Sequence, residues 1–328
     1  MIPALFVALG LSCFQAEPAA AEIVSVKRVW DQAPYNAFTD LVRFQGRWFM
    51  TFREGKAHVS PDGALRVLSS TDGETWESTA LITSPDGDLR DPKLSITPDG
   101  RLMLAGGSAL HPPSKVKHQS FVWLSDDGEH WSEPHPVGDP DFWVWRPAWH
   151  DGRGYAVGYA SRDERSTRLY SGRDGRVVTL VPTLFDQGFP NEAALAWRAD
   201  GSAVCLLRRD GSPNTNQVGT SKPPYTDWTW KDLGKHLGGP ALLRLEDGRI
   251  IAGGRLHVPD AHTGLCWLDP EAGELTEFLR LPSNGDSSYP GLVFHHGLLW
   301  VSYYSGHEGK TSIYLAKVKL PEKAGDRP

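Results

Sequence analysis

Residues 70–76 have the sequence Ser-Thr-Asp-Gly-Glu-Thr-Trp, and residues 125–131, which lie 55 positions further along the chain, have the sequence Ser-Asp-Asp-Gly-Glu-His-Trp. In each copy the aspartate is suited to accept hydrogen bonds from backbone N–H groups and close a turn, and the tryptophan to pack between sheets. Residues 171–175 and 221–228 are interpreted as degenerate copies of the same motif. A turn motif that recurs at such a distance indicates a repeat architecture.

Each copy belongs to a longer unit of an apolar strand, a glycine turn and a second apolar strand. The unit occurs six times, and its turn glycines are Gly46, Gly100, Gly152, Gly201, Gly248 and Gly297. Successive glycines are separated by 54, 52, 49, 47 and 49 residues. Such a period fits one four-stranded blade, and Asp-Gly pairs supply the positive φ that tight hairpins need. The repeat predicts an all-β fold, a six-bladed β-propeller formed as one domain by residues 22–328.

The composition agrees with this prediction, and the net charge argues against two classes of partner. The chain has 34 glycines and 25 prolines among 328 residues, a content that disfavours long helices. Its 13 tryptophans and 3 methionines favour cores filled by rigid aromatic rings. The formal charge of −6 is not concentrated in long runs, which argues against nucleic acid or an anionic membrane as a partner.

The N-terminal residues 1–21 are predicted to be a secretory signal peptide that is cleaved after Ala21, because a short apolar run is followed by small residues. A lipoprotein signal that uses Cys13 is the alternative. We therefore expect an exported monomer, periplasmic or extracellular, without membrane insertion. Cys205 and Cys266 are expected to be buried free thiols, although an exported protein could also pair them. Residues 22–30 are predicted to form a strand that completes the last blade and closes the ring.

Equivalent offsets in the repeat predict a convergent site, because they occupy equivalent points around the axis of a propeller. Seven residues after the turn glycines stand Arg53, Gly107, Tyr159, Arg208, Arg255 and Tyr304. Asp91, Glu192 and Tyr289 stand near the start of the innermost strands. Three arginines at one level predict an anion clamp, for which a carboxylate is the natural ligand. The alternative is a buried structural network in which the arginines pair with Asp91 and Glu192.

The whole predicted propeller resembles the sialidase superfamily, and the motifs at residues 70–76 and 125–131 resemble its Asp boxes. The resemblance implies a glycoside hydrolase in which three arginines hold the substrate carboxylate, a glutamate activates a tyrosine nucleophile and an aspartate is the acid/base. Carried onto this chain, it implies Glu192 as the activating base and Tyr289 as the nucleophile. It also implies Arg208 and Arg255 as two members of the arginine triad, with Tyr304 downstream as a substrate contact.

The chain departs from the family pattern at two places. The arginine of the family's Phe/Tyr-Arg-Ile-Pro motif is missing, since residues 35–38 are Tyr-Asn-Ala-Phe. Arg53 or Arg90 could replace it. His58 stands on the loop where the acid/base aspartate belongs, so Asp91 and His58 are the candidates for protonating the leaving group, with Asp62 as a further substitute for the aspartate. On this basis we expect hydrolysis of a terminal, anionic sugar from a glycan.

Two other functions are compatible with the same residues. Arginine, histidine and tyrosine also suit a lyase that acts on uronate polysaccharides, with His58 or a tyrosine moving the protons of the elimination. A propeller that binds carbohydrate without catalysis is the third possibility. The histidines lack the spacing of metal ligands, so neither a metal nor another cofactor is expected.

Overall fold

The computed structural model describes residues 20–162, 164–173 and 176–321. Within these ranges the chain forms strands and no helix, so no described segment qualifies as a membrane-spanning helix. The strands form six sheets of four strands each. The predicted all-β, six-bladed propeller is therefore confirmed.

The strands follow one another in chain order as consecutive blades. The first twelve are β1 (Glu22–Trp30), β2 (Tyr35–Phe44), β3 (Arg47–Gly55), β4 (Ala64–Ser70), β5 (Glu77–Ile82), β6 (Gly87–Ile96), β7 (Leu102–Leu110), β8 (His118–Ser125), β9 (His135–Val137), β10 (Phe142–His150), β11 (Arg153–Ala160) and β12 (Thr167–Arg173). The others are β13 (Arg176–Phe185), β14 (Pro190–Trp197), β15 (Ala203–Arg209), β16 (Gln217–Ser221), β17 (Thr229–Asp232), β18 (Gly238–Arg244), β19 (Ile250–Leu256), β20 (His262–Asp269), β21 (Glu274–Arg280), β22 (Ser287–His295), β23 (Leu298–Ser305) and β24 (Ser312–Lys319). Blades 1 to 5 are β2–β5, β6–β9, β10–β13, β14–β17 and β18–β21.

Blade 6 is closed by the N-terminal strand, since its order is β1-β24-β23-β22. Val26 of β1 is the antiparallel partner of Ala316 of β24. The prediction that residues 22–30 close the ring is therefore confirmed, and β24 has no free edge. Residues 1–19, which hold most of the predicted signal peptide, lie outside the described residues.

The two Asp boxes cap turns as predicted. Asp72 Oδ1 accepts the N–H groups of Glu74 and Thr75 at 2.7 and 2.9 Å. The hydrogen bonds from Thr75 and Glu74 lower the pKa of Asp72 to about 2. Asp127 accepts two N–H groups in the same way.

The degenerate copies differ from these two motifs. Ser221 Oγ donates to the carbonyl of Asp227, and the last two residues of the 171–175 copy lie outside the described residues. Another turn is capped in the same way although the motif does not predict it: Asp269 Oδ1 accepts the N–H groups of Glu271 and Ala272. Its sequence lacks both the serine and the tryptophan of the motif, which is why it was not recognised.

Cys205 in β15 and Cys266 in β20 are buried in different blades, and both are free thiols. Burial raises the pKa of Cys266 to about 12 and that of Cys205 further. These thiols pack in hydrophobic cores, and their raised pKa values disfavour the reactive thiolate form.

The innermost strand of every blade is interrupted by a bulge at the same place. The pairing register shifts at Ala37/Asp40, Arg90/Lys93, Trp145/Ala148, Pro190/Ala193, Gly238/Ala241 and Ser288/Gly291. Five bulges contain a residue with positive φ, namely Phe38, Asp91, Arg146, Gly239 and Tyr289. A proline follows in four of the six blades and removes an N–H group that a regular ladder would use. Because a bulge re-aims a side chain, the repeated bulges position the residues of the site described next.

Candidate active site

Tyr289 and Glu192 form a buried pair that joins blades 6 and 4. Tyr289 Oη donates a hydrogen bond of 2.7 Å to Glu192 Oε1. Glu192 Oε2 accepts hydrogen bonds from Arg208 Nη1 at 2.7 Å and from the N–H of Gly239 at 2.8 Å. Burial raises the pKa of Tyr289 well above its usual value, and the negative charge of Glu192 adds to the effect. The phenol therefore keeps its proton, with a carboxylate in place to receive it.

Arg208 and Arg255 lie beside this pair, and each already has a carboxylate partner. Arg208 Nη1 is 3.2 Å from the tyrosine hydroxyl of the pair, and its Nε donates to Asp210 Oδ1 at 2.8 Å. Arg255 Nη2 donates to Tyr304 Oη at 2.8 Å and to Asp286 Oδ1 at 3.1 Å. The structure thus brings together Arg208, Arg255 and Tyr304 as the repeat predicted, but as members of ion-paired networks.

The structure does not bring Arg53 into this group. Its side chain is fully buried, and Arg53 Nη2 is 2.8 Å from Asp88 Oδ1. The guanidinium also donates to the carbonyl of Ala57 and to Ser60 Oγ. Arg90 is paired with the second oxygen of Asp88. A substrate carboxylate cannot reach Arg53, which corrects the expectation of a three-arginine clamp. Arg53 forms a structural ion pair, but its partner is Asp88 and not Asp91 or Glu192, the partners in the network that the sequence left open. Of the three arginines, Arg208 is the one that pairs with Glu192.

Asp91 lies in the bulge of β6 with a φ of 53°. Its carboxyl group forms no hydrogen bond with any described residue, which distinguishes it from the other acids of the site. Burial raises the pKa of Asp91 to about 6; Lys93 opposes this rise and Glu192 adds to it. Loss of solvation raises the pKa of Tyr159, and the negative charges of Asp91 and Glu192 add to this effect. Asp91, Glu192 and Tyr159 therefore lie close enough to influence one another's ionisation.

Three charged residues that the repeat offsets do not select lie at the neighbouring bulges. Arg146 Nη1 donates to Asp40 Oδ1 at 2.8 Å, and Arg146 Nη2 donates to the carbonyl of Pro290 at 2.9 Å. Lys93 is buried, with its Nζ 4.8 Å from the centroid of the Trp145 ring. Burial lowers the pKa of Lys93 to about 8, and the positive charge of Arg146 adds to this effect. These residues connect blades 1, 2, 3 and 6 at the centre of the ring.

His58 lies on the loop between β3 and β4, as the sequence placed it, and it contacts two residues that sequence analysis did not select. Its Nδ1 is 2.6 Å from Tyr35 Oη and 3.1 Å from Asp286 Oδ2. Asp286 could have been found from the repeat, because it precedes Tyr289 by three residues, as Asp88 precedes Asp91. Asp88 pairs with Arg53, and Asp286 pairs with Arg255. Each arginine belongs to the preceding blade and stands seven residues after the turn glycine of that blade.

Exposure increases steadily from the floor of this site to its rim. The exposed fractions are 0% for Tyr304, 5% for Glu192 and 8% for Tyr289. Those of the side chains above them are 19% for Arg255, 21% for Arg208, 35% for Asp286 and 51% for His58. The reactive pair is therefore largely buried, and the charged side chains around it are more exposed to solvent.

No family model and no curated protein matches this chain. Solved structures match it over almost its whole length. A protein of unknown function from Dyadobacter fermentans is 21% identical with a TM-score of 0.80, and the match covers 92% of this chain and 99% of that chain. The GH93 α-L-arabinofuranosidase of Fusarium graminearum, solved with arabinobiose, is 15% identical with a TM-score of 0.66, and the match covers 93% and 98% of the two chains.

Trypanosoma rangeli sialidase, in complex with the inhibitor DANA, is 12% identical with a TM-score of 0.69, and the match covers 91% of this chain and 60% of that chain. At these identities the likeness establishes the fold. The chain is a six-bladed propeller that matches sialidases and GH93 arabinofuranosidases in structure, which confirms the resemblance drawn from the Asp boxes.

Proposed function

We propose that this protein hydrolyses the glycosidic bond of a terminal, uncharged sugar, with Tyr289 as the nucleophile and Glu192 as its base. The observation that carries the proposal is the 2.7 Å hydrogen bond between Tyr289 Oη and Glu192 Oε1 at the floor of the site. The structural neighbours include α-L-arabinofuranosidases and sialidases, which are glycosidases on the same fold.

The surroundings of Glu192 favour the phenol over the carboxylate as the attacking group. Tyr289 covers one oxygen of Glu192, while Arg208 and the N–H of Gly239 cover the other. Tyr289 Oη attacks the anomeric carbon and loses its proton to Glu192, while the bond from that carbon to the leaving oxygen breaks. The product of this step is a glycosyl-tyrosine. Arg208, 3.2 Å from the hydroxyl, stabilises the negative charge that develops on the oxygen.

Asp91 is assigned as the acid that protonates the leaving oxygen in this first step. A general acid is most effective when its pKa lies near the working pH, and burial raises the pKa of Asp91 to about 6. Its carboxyl group also has no hydrogen bond with a described residue to give up when it turns to the substrate.

The pairing of the arginines supports an uncharged sugar in place of the anionic sugar expected from the sequence. Arg208 is paired with Glu192 and Asp210, and Arg255 is paired with Asp286. An anionic ligand would have to compete with these carboxylates for each guanidinium. The same pairing disfavours a lyase that must neutralise a uronate.

A panel of substrates tests the proposal. Purified protein is offered neutral aryl glycosides, beginning with the α-L-arabinofuranoside, beside an aryl sialoside and a uronate polymer. Release of the aryl group from a neutral glycoside alone is the expected result. Cleavage of the sialoside alone would overturn the charge argument, ultraviolet absorbance from an unsaturated uronate would assign a lyase, and sugar binding without turnover would assign a binding module.

A further inference from the structure

The half-exposed His58 has one ring nitrogen enclosed by partners and the other free. Its Nδ1 contacts Tyr35 Oη at 2.6 Å and Asp286 Oδ2 at 3.1 Å. None of the described residues forms a hydrogen bond with Nε2, and 51% of the side chain is exposed. The ring is thus anchored on the side of Asp286 and open on the side of the solvent.

The partners of Nδ1 determine which nitrogen carries the proton. Tyr35 Oη donates its only hydrogen to Asp286 Oδ2. Burial raises the pKa of Tyr35, and the hydrogen bond to Asp286 adds to this effect, so the phenol stays protonated. Burial opposes ionisation of Asp286, but hydrogen bonds from His58, Tyr304 and Tyr35 outweigh it and lower the pKa of Asp286 well below its usual range.

Neither partner therefore has a free hydrogen for Nδ1, because an ionised carboxylate only accepts and the tyrosine hydrogen is already committed. Nδ1 of the neutral imidazole must itself carry a hydrogen. Nε2 then presents its lone pair, and Asp286 is in place to stabilise the imidazolium that forms when Nε2 takes up a proton.

His58 and the proposed nucleophile pack against the same aromatic ring. The ring of Phe38 contacts both residues, with centroid distances of 5.3 Å to His58 and 5.1 Å to Tyr289. Tyr304, on the floor, donates to the same Asp286 at 2.6 Å. His58 is thus the exposed end of a network that passes through Asp286 to Tyr304, whose ring centroid is 6.0 Å from that of Tyr289.

We propose that His58 is the base that activates water in the second step, a role separate from that of Asp91 as the acid of the first. The inference rests on the proposed function. His58 Nε2 removes a proton from water, whose oxygen attacks the anomeric carbon. The bond from that carbon to Tyr289 Oη breaks, and the phenolate recovers its proton from Glu192. Tyr35 and Asp286 are positioning residues that hold the ring and its tautomer.

The two roles are separated with a dinitrophenyl glycoside of the sugar that the wild-type protein hydrolyses, because this leaving group departs without an acid. His58→Gln is expected to release a burst of one dinitrophenolate per protein and then turn over about 10² to 10⁴ times more slowly. Mass spectrometry is expected to find the sugar attached to the Tyr289 peptide. Azide, which needs no base, is expected to restore turnover. Asp91→Asn is expected to show no burst with this substrate, because its second step retains His58.

A burst in Asp91→Asn and none in His58→Gln would overturn the inference and assign both steps to Asp91. Unchanged steady-state turnover in a folded His58→Gln protein would overturn it as well. Asp286→Asn removes the anchor and keeps the imidazole. It is expected to give a smaller burst than His58→Gln, and azide is expected to restore its turnover as well. Absence of turnover by the wild-type protein on every glycoside would overturn the proposed function and this inference together.

Discussion

At the scale of single residues, the hydroxyl group of Tyr289 has two neighbours that a nucleophile needs, the Glu192 carboxylate at 2.7 Å and the Arg208 guanidinium at 3.2 Å. Tyr289→Phe removes the attacking oxygen and leaves the ring in place. We expect kcat/KM to fall on the order of 10⁴-fold or more, as when other enzymes lose their nucleophile. The measurement is the release of the aryl group from the best neutral glycoside.

Tyr303→Phe is the matched control for this change. Tyr303 is the same residue type in the same blade, fully buried, and its hydroxyl donates to the carbonyl of Pro282. The control is expected to keep activity close to that of the wild type. If Tyr289→Phe is active while Glu192→Gln is inactive, Glu192 and not Tyr289 is the nucleophile.

The raised pKa of Asp91 leads to a prediction about how activity depends on pH. Burial raises the pKa of its carboxyl group to about 6, and the general acid works only when protonated. For a substrate with a poor leaving group, kcat/KM is therefore expected to fall as pH rises through this value. Asp91→Asn is expected to be slow on that substrate and to lack this limb of the profile. Persistence of the same limb in Asp91→Asn would assign it to another group.

At the scale of structural elements, the Asp box of residues 70–76 contacts the neighbouring blade. Gly73 has a φ of +72°, and a Cβ added there would lie 2.5 Å from Trp300 Cζ3 of β23. Gly46 has a φ of +78° with open space around it. Gly46→Ala is expected to lower the free energy of unfolding by about 1–2 kcal/mol, because alanine must adopt the left-handed conformation. Gly73→Ala has the same cost and a further loss of about 1–3 kcal/mol, because the added Cβ overpacks against Trp300.

The free energy of unfolding of both variants is measured by urea denaturation, with the m-value checked for a two-state transition. Gly73→Ala is expected to lose more stability than Gly46→Ala, and the difference measures the packing of the Asp box against blade 6. Equal losses in the two variants would show that Trp300 moves aside without cost.

The same elements explain which parts of the molecule were predictable. The six turn glycines all have positive φ, between 70° and 89°. Their spacing in the sequence therefore located the six hairpin turns directly. Equal offsets identified equivalent backbone positions, as for Arg53 and Arg255, but not the course of the side chains. Arg53 is covered by residues 57–60, whereas Arg255 remains partly open. That difference depends on loop packing, which the repeat does not encode.

The bulges were present in the sequence in a form that was not recognised. Four innermost strands contain a proline directly after the positive-φ residue, at Asp91-Pro92, Arg146-Pro147, Gly239-Pro240 and Tyr289-Pro290. A proline in the inner strand of a blade requires a break in the ladder, which is the signal that could have placed Arg146 at the axis beside Asp91 and Tyr289. No local pattern marks Lys93, because its burial depends on side chains from other blades.

At the scale of the whole molecule, the site spans the point where the ring closes. Asp286 of blade 6 accepts hydrogen bonds from Tyr35 of blade 1 and contacts His58. Thr39 Oγ1 donates to the carbonyl of Tyr289 at 2.9 Å, also across this seam. The N-terminal β1, which begins at Glu22, completes blade 6 at the same seam.

We propose that the protein is exported and cleaved after Ala21, which leaves β1 intact. The mass of the secreted protein tests this proposal.

Closure by β1 predicts that a deletion of residues 1–30 weakens both the fold and the site, whereas a deletion of residues 1–21 weakens neither. Without β1 the edge of β24 is exposed, and the contacts of Ile23 and Val26 with the core of blade 6 are lost. The larger deletion is expected to lower the midpoint of guanidinium unfolding, followed by tryptophan fluorescence, and to associate in sedimentation experiments. Its kcat/KM is expected to fall as well. Tyr289 of blade 6 and His58 of blade 1 lie on opposite sides of the junction between these blades, and the larger deletion weakens blade 6 at this junction. Equal stability and activity of the two deletions would show that blades 6 and 1 adhere without the N-terminal strand.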